Sequence, residues 1–155
     1  MKYPPKLQIG AGISKKEKTK ILVWKGRGDF KNYCERLKER VVPFIKKNFN
    51  RPHRFLHDLD TTHKLAYTKK WIKDNGVKGE FCPVRSPDLN AIEYVWNVLE
   101  KCVIDYNPTS EEELEQRIKE EWKKIDQDLI NHTIDHVIHT IHKIIKASGN
   151  NNYEC

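Results

Sequence analysis

"RSPDLNAIEYVW", residues 85–96, decides the fold. Pro87 stiffens a turn. Asn90 stands where a helix takes its N-cap, and Ile92, Val95 and Trp96 form the apolar stripe of a helix predicted from Asn90 to about Ile104. Glu93 falls at the third helical position. There a glutamate reaches back to the N–H of the cap residue, which gives it a purely structural reading. Whether that is its only task depends on what the chain brings beside it.

Upstream, "LQIGAGIS" (7–14) and "KILVWKG" (20–26) read as two strands, joined by a charged link short enough for a hairpin. Residues 30–49 carry Phe30, Tyr33, Leu37, Val41, Phe44 and Ile45 at helical spacing, with Pro43 expected to kink the helix or end its regular part. Strand-like runs follow at 53–60 and 79–84. Between them a helix is predicted over 63–76, stopped by Asn75-Gly76. Downstream, Ser110 and Glu113 form a capping box for a helix to about Ile125. A last helix, about 127–147, carries an isoleucine stripe. The order β-β-α-β-α-β-α-α-α defines an α/β chain with a mixed sheet and a helical C-terminal part. Residues 1–147 read as one domain and 148–155 as a flexible tail.

The composition, 37% hydrophobic and 33% charged, is polar, but four Trp, six Tyr and five Phe among 155 residues exclude a disordered chain. The net charge of +7 suits a polyanion, most often nucleic acid but also an acidic membrane surface, against a plain reading as solubility. No apolar run approaches membrane-spanning length, so no membrane partner is expected. Cys34, Cys82, Cys102 and Cys155 form no CxxC pair and are expected to be reduced thiols of the cytoplasm or nucleus.

Asp58 lies near the end of the strand-like run "RFLHDLD", where α/β proteins place ligands. Taken alone it reads as a solvated strand end. With Glu93 it says more. The 34 residues between them supply one helix, one short strand and a stiff Ser-Pro-Asp turn. That path can return the glutamate beside the strand end. Two carboxylates meeting there repel unless a cation lies between them, and hard oxygen ligands suit Mg²⁺ or Mn²⁺.

"FLHDLDTTH" followed by "SPDLNAIEYVW" resembles the catalytic domain of the mariner-type (Tc/mariner superfamily) DDE transposases, in which the segments read roughly Q-D-N-x-x-x-H and S-P-D-L-N-P-I-E-x-x-W. The 34-residue interval is that of a major branch of the family. The hairpin with its first helix and the C-terminal "IHKIIKASGNNNY" also look like the family's, so the resemblance covers nearly the whole chain. It implies a ribonuclease-H-like fold and metal-assisted phosphoryl transfer at DNA, with two cations about 4 Å apart. It makes Asp58 the second acid and Glu93 the third, both metal ligands. His63 matches the family histidine, and Asp88 and Asn90 shape the turn that delivers Glu93. Transposon ends and target DNA are the implied partners, a homo-oligomer on DNA the implied assembly, and the nucleus the implied location.

The sequence departs from the pattern in places. Leu59 stands where the family has Asn, Thr61 where Pro is frequent, and Ala91 where Pro is usual at the first helical position. The family's first acid lies on a strand before the hairpin, whereas Met1 directly precedes the hairpin here. Asp29 and Asp60 are poor substitutes. The chain is therefore expected to be a partial catalytic domain lacking its first strand, and inactive alone, since two ligands hold a metal pair poorly. The rival reading is a non-catalytic DNA- or protein-binding remnant. Lys15, Lys16, Lys18, Lys69 and Lys70 are candidate phosphate contacts, against a plain reading as solvated loops and helix faces. His132, His136, His139 and His142 follow helical spacing. They read as a polar helix face, with zinc as the lesser alternative.

Overall fold

The structure, a computed structural model, describes residues 5–26, 30–49, 55–57, 69–70, 72–81 and 87–147. β1 (Gln8–Gly10) and β2 (Leu22–Trp24) pair antiparallel, with Ile9 opposite Val23. These strands are shorter than the sequence suggests. An isolated bridge between Ile13 and Lys18 carries the hairpin on toward its tip. There the Ser14 hydroxyl donates to the Glu17 carbonyl at 2.8 Å, and the Glu17 N–H donates back to it at 3.2 Å. Gly10 packs close to the Trp24 ring: a Cβ there would lie 3.3 Å from it, so the ring would have to give by a few tenths of an ångström.

α1 (Phe30–Asn48) runs through Pro43 without ending. Proline inside a helix costs about 3 kcal/mol. Burial of Val42 and Ile45 on either side of it offsets that penalty. These two residues share a small core with Ile72 and Val77, joined by Val41, Phe44 and Phe49. Ile72 belongs to α2, helical at residues 69–70 and 72–74. α2 stops as Asn75-Gly76 predicts. Gly76 takes a φ of +69°, its N–H donates to the Lys73 carbonyl and the Val77 N–H donates to the Ile72 carbonyl, both at 3.1 Å. This is a Schellman motif, and its usual apolar contact is the burial of Ile72 and Val77 in one cluster.

β3 (Phe55–His57) pairs parallel with β4 (Gly79–Phe81), with α2 between them in sequence. Among the described residues the strands form two separate two-stranded sheets, β1-β2 and β3-β4. The element order matches the sequence reading, but a single mixed sheet is not formed by these four strands.

A 3₁₀ turn, Pro87–Leu89, leads into α3 (Ala91–Ile104), whose Val95, Leu99 and Val103 are buried one turn apart. α4 (Glu111–Lys124) starts at Ser110, whose hydroxyl accepts the Glu113 N–H at 3.0 Å. The Glu113 carboxylate completes the cap one residue further out than expected, accepting from the N–H of Thr109 at 2.8 Å and from its hydroxyl at 3.1 Å. α5 (Gln127–Lys146) is capped by Asp126, which accepts the Leu129 N–H at 2.7 Å. Together α3, α4 and α5 form the larger core: Val95, Leu99, Val103, Ile118, Trp122, Ile125 and Ile130, with hairpin residues such as Ile9, Ile13 and Val23 packed against it. The Trp122 indole N–H donates to the Thr19 carbonyl at 2.9 Å, pinning the hairpin to α4.

Candidate active site

Glu93 sits in the first turn of α3 and is half-buried. The opposite face of the helix fixes its direction, because Val95 is fully buried and Leu99 nearly so. The Glu93 N–H donates to the Asn90 carbonyl at 3.0 Å. Asn90 is the N-cap in backbone terms, at φ −117° and ψ 100°, but its side chain accepts no capping bond. The Glu93 carboxylate likewise makes no hydrogen bond or ion pair with the described residues, so the expected reach back to the cap N–H does not form. α4 shows the contrast, since there the same spacing builds a working cap from Ser110 and Glu113. At α3 the backbone entry is set by the preceding 3₁₀ turn and the buried stripe. Among the described residues both Glu93 oxygens are thus unengaged, and a carboxylate of that kind fits a hard divalent cation.

Asp88 is exposed within the 3₁₀ turn that sets up α3. Asp58 follows the last residue of β3 directly in sequence. Asp58, His63, Asp60 and Asp29 lie outside the described residues, as does the segment 148–155.

The hairpin lysines are engaged within the protein. Lys15 pairs with Asp135 of α5 at 2.5 Å. Lys16 donates to the Asn48 carbonyl at the end of α1 and lies over the Phe49 ring. Lys18 donates to the Ile125 carbonyl, with the Lys123 carbonyl at 3.4 Å and the Trp122 ring at 5.7 Å. Partial burial pushes the Lys18 ammonium below its ordinary value, against an opposing pull from Asp126. Lys69 and Lys70 are exposed, and Lys70 pairs with Asp74 at 2.9 Å. His132, His136, His139 and His142 all face solvent on α5. Among the described residues no group of three or more His, Cys, Asp or Glu side chains is placed to hold a metal. No helix among the described residues is long and apolar enough to cross a membrane.

Residues 13–115, which take in both Asp58 and Glu93, match the family model for the DDE superfamily endonucleases. The chain belongs to that family, and with it to the ribonuclease-H-like fold. It is similar to the transposable element Tc3 transposase of Caenorhabditis elegans, 25% identical over 146 residues, which are 93% of this chain and 44% of that protein. It is also similar to the Tcb2 transposase of Caenorhabditis briggsae, 25% identical over 76% of this chain and 43% of the relative. The Tc1 transposase of Caenorhabditis elegans is 27% identical over 69% of this chain and 39% of its own length. The chain thus spans less than half the length of the curated relatives it matches.

Proposed function

We propose that this chain is part of the catalytic domain of a Tc1/mariner-type transposase, acting in DNA cleavage and strand transfer by metal-dependent phosphoryl transfer. The observation that carries the reading is Glu93: a carboxylate inside the family match, on a rigidly packed helix, with neither oxygen used by a described residue. Asp58 and Glu93 would hold Mg²⁺ or Mn²⁺. Bound cations lower the pKa of the attacking water and stabilise the leaving oxygen of the phosphodiester. The chain's own part is positioning. The Pro87–Leu89 turn and the buried stripe of α3 hold Glu93 still, and a fixed ligand loses little entropy on engaging its cation.

Two acids alone hold a metal pair weakly, so a third carboxylate is proposed to complete the site. DNA is the proposed substrate, a homo-oligomer on DNA the proposed assembly, and the nucleus the proposed place of action. The test is nicking of supercoiled plasmid with Mn²⁺ or Mg²⁺, alongside Mn²⁺ binding followed by electron paramagnetic resonance. Metal binding lost in Asp58→Asn and in Glu93→Gln supports the reading, with or without nicking. DNA binding that ignores both substitutions, in a chain that binds no Mn²⁺, would instead favour a non-catalytic binding remnant.

A further inference from the structure

The outward face of α3 carries more than Glu93. Tyr94, Asn97 and Lys101 are all exposed, and their spacing of three and then four residues puts them on one helix face, opposite Val95, Leu99 and Val103. Asn97 is also one turn from Glu93. Tyr94 is 55% exposed. Other aromatic residues nearby have partners: Trp96 stacks on Trp122 with centroids 5.3 Å apart, and Tyr106 lies under Arg117 at 4.3 Å and Lys124 at 5.9 Å. Tyr94 has no ring or cation partner among the described residues. The Lys101 ammonium and the Asn97 amide are likewise uncommitted among them.

An exposed ring, an amide and a cation in a row match the chemistry of a nucleic-acid strand: a π-face for a base, a two-way hydrogen bonder for its edge, a positive charge for a phosphate. We infer that Tyr94, Asn97 and Lys101 form a track for unpaired DNA, with Tyr94 stacking on an unstacked base next to the strand held at Glu93. From Tyr94 to Lys101 the helix rises about 10 Å, roughly three stacked base steps at 3.4 Å each. The track takes single-stranded or frayed ends, because a base inside a duplex has no free face to offer. This inference rests on the DNA-processing function proposed for Glu93.

The test uses the full chain without metal and a DNA duplex with a 3′ overhang carrying 2-aminopurine at its unpaired end. Binding should quench the 2-aminopurine by stacking. Tyr94→Phe should keep the quenching and the affinity. Tyr94→Ala should abolish the quenching and bind the overhang roughly tenfold more weakly, with blunt-duplex binding unchanged. Lys101→Ala should flatten the dependence of log affinity on log salt by roughly 0.7 to 0.9. Tyr94→Ala that still quenches and binds as the parent overturns the track alone, leaving the assignment of Glu93 standing. A parent chain that binds neither DNA also overturns the track, while the Glu93 assignment stands or falls on Mn²⁺ binding.

Discussion

Lys18→Met separates two roles that one lysine can play. As a phosphate contact it would matter for DNA and little for folding. The structure instead turns its ammonium onto the C-terminal carbonyls of α4, at Ile125 and Lys123, beside the Trp122 ring. Methionine keeps most of the stem against Trp122 and removes only the charge. A hydrogen bond from a charged donor contributes about 1.5–3 kcal/mol. Burial disfavours the charged form of Lys18 and takes back part of that, so the net is about 0.5–1 kcal/mol. For a chain of this length that lowers Tm by about 1–4 °C. Differential scanning fluorimetry reads the shift, and a salt titration of DNA binding reads the charge. The expected pair is a lowered Tm with an unchanged salt slope. An unchanged Tm with a flatter slope would refute the bracing role and return Lys18 to the DNA surface.

Gly76→Ala should destabilise the chain by about 1–2 kcal/mol, read by urea unfolding, because Gly76 holds φ +69° at the end of α2. Leu99→Ala should cost about 2–5 kcal/mol, since its side chain is 2% exposed at the centre of the larger core. It should also weaken Mn²⁺ binding through loosened placement of Glu93. Acid should modestly destabilise the protein as pH falls below 4.5. The carboxyls of Glu17, Glu112, Glu113, Glu120 and Glu121 are all held below that ordinary value, by hydrogen bonds from Asn48, the Glu112 backbone, Thr109, Gln116 and Lys124 respectively. Their stabilising contribution is present above 4.5 and is lost as pH falls from there through the lowered folded values. Circular dichroism across pH 2–6 should show this loss, and it should shrink in Glu113→Gln.

The helices were the most legible part of the sequence. The stripes in α1, α3 and α5 repeat over several turns, and Ser110 and Asn75-Gly76 mark termini by their own chemistry; the Asp126 cap of α5 went unread. The strands were less so, because three-residue strands hold too little alternation to fix their ends. Glu93 stood out because its turn and helix are local. Its idle carboxylate did not, since Ser110–Glu113 shows the same spacing and makes the cap. The lysines were unreadable for a different reason. Lys15 meets Asp135 and Lys18 meets Ile125, contacts made across more than a hundred residues of chain that no local pattern marks.

Among the described residues the buried apolar side chains fall into two clusters. One joins the hairpin to the three C-terminal helices, and the other joins α1 to α2 and the approach to β4. Two cores that share no buried residue can open separately, so amide exchange should find α3 and α4 protected as one unit and α1 and α2 as another. Glu93 stands on the first. Asp58 follows β3, which pairs with the strand leading out of the second. The lifetime of the assembled acid pair would then be set by whichever of the two cores opens first.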